Sequence, residues 1–134
     1  MKLITDRTRT DVLTGNEKGF YTVRDLNRVE RKVAELCEKM RALDIVLKLQ
    51  VSTDWEQTRR IPTHGEMTRY LQNVHRVALA MGLDPTLPER MEHLNYQGAN
   101  QIESALKQAE GKVQSILQTH QMSGELFAGE ENEI

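Results

Sequence analysis

YTVRDLNRVERKVAELCEKMRAL, residues Tyr21 to Leu43, decides the fold. Leu26, Val29, Val33, Leu36, Met40 and Leu43 recur at alternating steps of three and four, so their side chains share one stripe of a helix. A helix with such a stripe does not stay alone in water and requires partner helices or a partner protein. Thr22 is placed to cap its N-terminus, and Asp25 three residues later completes a near capping box and suits the positive end of the helix dipole. Arg24, Arg28, Arg31, Glu35 and Lys39 occupy the other, solvated face, with Glu35 and Lys39 in the favourable order for a pair four apart.

Beyond Leu43 the period changes. Ile45, Leu47, Leu49 and Val51 alternate with Val46, Lys48, Gln50 and Ser52, the pattern of a half-buried extended segment, although helix continuing to about Leu49 also fits. A polar connection from Ser52 to Arg60 carries Trp55 and closes at Pro62. Thr63 and Glu66 form a full capping box that starts a second helix at about His64, with Met67, Tyr70, Leu71, Val74, Val77, Ala78 and Met81 as its apolar face and Gly82 at its C-terminal cap. DPTLPERMEHL then predicts a turn flanked by prolines and a single helical turn through Leu94. The third helix starts near Tyr96 and buries Ile102, Leu106, Ala109, Val113, Ile116 and Leu117; Gly111 within it costs about 1 kcal/mol relative to alanine and suits close packing or a bend.

The expected fold is therefore mainly α: three long helices packed antiparallel, with an irregular N-terminal arm and a short extended segment near 45–52. Residues 1–21 form the arm, 22–120 the bundle and 121–134 an acidic flexible tail. Leu3, Ile4, Val12, Leu13, Phe20 and Tyr21 are the side chains able to anchor the arm, which otherwise offers turn formers and no helical period. The core comprises Leu26, Val29, Val33, Leu36, Met40, Trp55, Met67, Leu71, Val74, Ile102, Leu106 and Val113.

Composition agrees with that class. At 134 residues the chain suits one domain, and with aromatics at 4% its core is aliphatic and methionine-rich, which favours helices. The single cysteine, Cys37, excludes an intramolecular disulfide and reads as a small hydrophobe in a reducing compartment. No secretory signal or run long enough to span a bilayer is visible, so a soluble protein made in the cytoplasm is expected, with no membrane partner. Charge is uneven: residues 1–76 hold 15 Lys and Arg against 11 Asp and Glu, while residues 77–134 hold 3 against 9. Head-to-tail association or an acidic partner at the basic end would use this asymmetry; ordinary solvated helix faces plus an acidic tail are the simpler explanation.

Catalytic signals are missing. His64, His75, His93 and His120 fall singly, without zinc-ligand spacing, and Glu89 to His93 is one residue too long for the Glu-x-x-His pair of a di-metal bundle. No nucleophile motif or phosphate-binding glycine loop occurs, so no catalytic residue, metal or cofactor is assigned and the chain reads as a non-enzyme. Arg59, Arg60, Arg69 and Arg76 are candidates for phosphate contacts, but acids are interleaved with them and no short helix-turn-helix is visible, which disfavours nucleic acid. The distinctive feature is a repeated tetrad, Asn27-Arg28-Val29-Glu30 in the first helix and Asn100-Gln101-Ile102-Glu103 in the third. Either both pairs are exposed first-turn polar residues, or they form a structural polar network. In the network Asn27 and Asn100 bind irregular backbone of the arm or the inter-helix loops, and Glu30 or Glu103 accepts from a backbone amide or from Arg7 or Arg9. Trp55 pins the loop over the bundle or stands at the surface as an anchor for a partner.

Five stretches in order, LITDRTRTDV (3–12), DLNRVE (25–30), TDW (53–55), IPT-x-x-x-M-x-x-YL-x-NV (61–74) and LP-x-x-M-x-x-L-x-Y-x-x-AN-x-IE (87–103), resemble a helical module of tail or baseplate-associated minor structural proteins from phages and prophages of Gram-positive bacteria. The segment between Val12 and Tyr21 is short for that family, and the module nearly fills this chain instead of forming part of a longer tail protein. The resemblance implies a non-enzymatic virion protein acting through contacts with tail or baseplate proteins or with copies of itself, present in the host bacterial cytoplasm during assembly and then in the virion. The alternative is a small regulatory module that contacts nucleic acid or a host protein.

Overall fold

A computed structural model of the chain describes residues 2–58 and 61–131, with side chains through Thr119. Five α-helices form, α1 (Arg9–Thr14), α2 (Val23–Arg41), α3 (Trp55–Thr58), α4 (His64–Ala80) and α5 (Tyr96–Glu131), together with a 3-10 turn at Glu17–Gly19. There is no strand among the described residues. α2 and α4 begin and end where local chemistry directs. Thr22 with Asp25 and Thr63 with Glu66 both complete reciprocal capping boxes. α2 and α4 close alike: Ile45 N–H donates to Met40 O and Leu83 N–H to Ala78 O, each at 3.0 Å, with Asp44 and Gly82 in the left-handed conformation at φ 63° and 75°.

α2, α4 and α5 share one core. Val29, Val33, Leu36 and Met40 of α2, Val74 and Val77 of α4, and Ile102, Leu106, Ala109 and Val113 of α5 are essentially inaccessible to solvent. Of the expected core, Met67 alone is only partly buried. Gly111 is exposed, and a side chain there would meet nothing within 4 Å, so this glycine serves no close approach.

The antiparallel expectation is corrected. Arg28 pairs with Glu103 and, one turn on along α2 and two along α5, Lys32 pairs with Glu110, so α2 and α5 run in the same sense. Thr22, Val23 and Leu26 at the start of α2 line one groove with Thr63, His64 and Met67 at the start of α4, and farther along Glu30 pairs with Arg69, so α4 runs with α2 as well. The reason lies in the connections. Antiparallel neighbours need short loops, whereas Ala42 to Asp54 at about 3.3 Å per residue reaches roughly 43 Å, more than the ~28 Å length of α2. This segment returns beside the bundle with Leu43, Ile45, Leu47, Leu49 and Val51 half-buried and the residues between them exposed. The alternation in the sequence is real, but it marks an extended strap without a ladder partner. Side chains bind part of its backbone: Gln50 O accepts from Arg69 (2.6 Å) and Asn73 Nδ2 (2.7 Å). A second return, Met81 to Asn95, brings Glu92 back to His64 at the start of α4 (2.8 Å) and launches α5 from that end. The helical turn expected before Leu94 is instead a single hydrogen-bonded turn with His93 at φ 60°.

The arm is more ordered than its composition suggests. Thr8 and Asp11 make a further capping box for α1, a helix too short to show an apolar period. α1 buries nothing. Leu3 and Tyr21 pack on the core, whereas Val12, Leu13 and Phe20 are exposed and do not anchor the arm. α5 remains helical through Glu131, past the end of the apolar pattern at Gln121, and residues 132–134 of the expected tail lie outside the described residues.

Candidate interaction site

Asn100 and Glu103 stand one turn apart on α5 and hold the arm by its backbone. Arg7 N–H donates to Asn100 Oδ1 (3.0 Å), Asn100 Nδ2 donates to Arg7 O (2.9 Å), and Ile4 N–H donates to Glu103 Oε1 (3.0 Å). The Arg7 guanidinium folds beneath, donating to Glu103 Oε2 (2.5 Å) and Asp25 Oδ1 (3.2 Å) and lying 5.5 Å from the centre of the Tyr21 ring. Arg28 approaches from α2 and grips Glu103 with two nitrogens, at 2.7 and 2.8 Å, and also Asp25. Two cations therefore balance two carboxylates in a nearly dry quartet; the Glu103 side chain is 0% exposed and that of Arg7 2%. Arg9, the other arginine considered for this role, is exposed.

Asn27 and Glu30 do the same from α2. Trp55 N–H donates to Asn27 Oδ1 (2.8 Å) and Ser52 N–H to Glu30 Oε1 (3.2 Å), while Glu30 also receives the Trp55 indole N–H and Arg69 of α4 (2.6 Å). Asn27 Nδ2 donates to Glu56 (3.1 Å). Trp55 is 0% exposed, which corrects its assignment as a surface anchor: its ring fills the core and its N–H neutralises a buried acceptor.

The two clasps share one register. In each, the asparagine takes the amide of one strap residue and the glutamate three positions later takes the amide three positions earlier, so strap and helix run in opposite senses. The clasped segments are themselves alike, Ile4-Thr5-Asp6-Arg7 and Ser52-Thr53-Asp54-Trp55. This Thr-Asp likeness was the signal that would have paired each tetrad with its strap from sequence. The straps are exchanged: the one preceding α2 is held by α5, and the one following α2 is held by α2 itself.

Hydrogen-bond saturation limits what these groups can do chemically. Glu103 accepts from Ile4, Arg7 and Arg28, which leaves no lone pair facing a cleft for proton transfer. Burial disfavours the Arg28 charge, yet the hydrogen bonds and charges of Glu103 and Asp25 outweigh it and hold its proton more tightly than usual. Tyr21 and Tyr70 meet hydroxyl to hydroxyl beside the quartet; burial above all pushes both phenols well above their ordinary range, opposed at Tyr21 by the hydrogen bond to Tyr70 and reinforced at Tyr70 by Tyr21, with the neighbouring carboxylates adding less. Burial also raises the Cys37 thiol, away from thiolate reactivity. Among the described residues no group of three or more His, Cys, Asp or Glu is arranged to hold a metal ion, and no helix is long and apolar enough to cross a membrane. His64 pairs with Glu92, His75 lies 3.8 Å from Asp84, and His93 is exposed; the side chain of His120 and residues Arg59 and Arg60 lie outside the described residues.

No protein-family model, curated protein or solved structure matches this chain.

Proposed function

We propose that this chain is a non-enzymatic structural protein of a phage or prophage particle, associated with the tail or baseplate and acting through protein–protein contacts. The observation that carries the reading is where the resembling stretches meet. LITDRTRTDV supplies Ile4 and Arg7, DLNRVE supplies Asp25, Asn27, Arg28 and Glu30, TDW supplies Trp55, and AN-x-IE supplies Asn100 and Glu103. Part of the likeness to that family thus falls on residues that tie straps to helices in this chain, which supports the reading. The polar groups are consumed internally, and the exposed surface offers isolated apolar contacts instead: Ile61, Leu13, Val46 and Phe20. Tail or baseplate proteins and further copies of the chain are the partners, met in the host bacterial cytoplasm during assembly and then in the virion.

A regulatory module contacting nucleic acid fits less well, because Arg7, Arg28, Lys32 and Arg69 are all committed to internal carboxylates. Mass spectrometry of purified particles tests the proposal. Detection in stoichiometric amount with the tail proteins is expected; absence from particles, together with salt-sensitive DNA binding by the purified chain, overturns it.

A further inference from the structure

The N-terminal strap is held in a manner that does not require it to belong to the same molecule. The α5 clasp recognises residues 4–7 through two backbone amides, one carbonyl and one guanidinium. A second copy of the chain presents the identical segment. Exchange between two copies would recreate every strap-to-clasp bond, so its cost reduces to the entropy of association and any strain in the connecting residues.

Those connecting residues, Thr8 to Phe20, are built to detach, with Tyr21 packed on the core as their root. α1 buries no residue, and grooves flank the connection on several sides: about 710 Å³ bordered by Phe20, Val23 and Met67, about 520 Å³ bordered by Gly15, Phe20 and Arg24, and about 270 Å³ bordered by Lys18, Gly19 and Tyr96. Few buried contacts mean a low local opening energy. The segment is instead folded on itself as a clip. Asn16 N–H donates to Asp11 O (3.2 Å), Asn16 Nδ2 donates to Asp11 Oδ1 (2.7 Å), and Gly19 lies so close to the α1 backbone that a Cβ there would sit 2.7 Å from the Asp11 carbonyl carbon and 2.8 Å from Val12 Cα. Closed, the clip keeps the strap on its own bundle. Opened, Thr8 to Phe20 extends to roughly 43 Å, beyond the ~28 Å length of α2 and enough to reach a neighbouring molecule.

We infer that this chain self-associates by arm exchange: residues 3–7 of one copy occupy the Asn100–Glu103 clasp of another, and the clip at residues 8–20 sets how readily this happens. The inference names a second copy as a partner within the structural role proposed above and rests on that reading only for its biological setting.

Cross-linking of the full chain tests it without reference to particles. Lys2 and Lys107 are both exposed; Lys2 adjoins the strap, and Lys107 lies one turn beyond Glu103 on the same face of α5. With Cys37→Ala as background, the double variant Lys2→Cys/Lys107→Cys, treated with a bis-maleimide at low concentration, should cross-link within one chain. Mixing the Lys2→Cys and Lys107→Cys single variants should yield an inter-chain 2-to-107 product that grows with protein concentration, and Gly19→Ala, which forces the clip apart, should raise that yield several-fold. An intra-chain link in the double variant with no 2-to-107 product between the mixed singles, with or without Gly19→Ala, overturns the inference. Failure of the double variant to cross-link, or inter-chain products joining only like positions, overturns it also. Absence from particles would remove the virion role and leave this result standing.

Discussion

Asn27 and Asn100 carry an unusual share of the tertiary structure, because each fixes a segment that has no ladder or helix of its own. Replacing either with alanine leaves a strap amide without its acceptor, which costs about 1–3 kcal/mol. The melting temperature of Asn27→Ala and of Asn100→Ala should therefore fall by roughly 3–10 °C, followed by circular dichroism. A fall of this size in only one variant would show that the two clasps are not energetically equivalent. Tyr21 and Tyr70 set the response to alkali. Their phenols sit above the ordinary value of 10.0 in the folded chain, so the folded state retains protons that the unfolded state releases. Stability from this pair is complete below pH 10 and is lost as pH rises beyond it. Phenolate absorbance from these two tyrosines should then appear together with loss of helicity, and Tyr21→Phe/Tyr70→Phe should flatten the decline. The tetrads were legible because they repeat in sequence, and so were the kinds of partner they take, Arg7 and irregular backbone of the arm and loops; which strap meets which tetrad was not, since its one signal, the shared Thr-Asp at 5–6 and 53–54, is distant in sequence from Asn100 and Asn27.

Among the elements, α2, α4 and α5 could be read from sequence, the first two with their caps, because capping boxes and a period of 3.6 are local properties. α1 and α3 could not, being four to six residues long. Helix direction was misread for a different reason: amphipathic stripes say that helices pack, while the length and extended pattern of residues 42–54 say in which sense. Gly111 provides a clean test of α5. It is exposed with no neighbour to meet a new methyl group, so Gly111→Ala should stabilise the chain by about 1 kcal/mol and raise the melting temperature by a few degrees. An unchanged or lower value would mean that α5 is bent or contacted at that point.

At the scale of the whole molecule, three helices running the same way are bound into one body by two straps that cross back against them, and each strap is held by an Asn-x-x-Glu pair on a helix. That arrangement places charged groups inside and leaves single apolar side chains outside, a distribution suited to assembly. Its central claim is that Ile4, Arg7, Ser52 and Trp55, all at or beyond the ends of regular structure, have backbone amides as firmly held as those in a helix. Residue-resolved hydrogen exchange measures this directly. Protection of these four amides comparable with the middle of α2 is predicted, with Asn100→Ala releasing Arg7 and sparing Trp55; exchange of all four at the rate of an open loop would contradict the account.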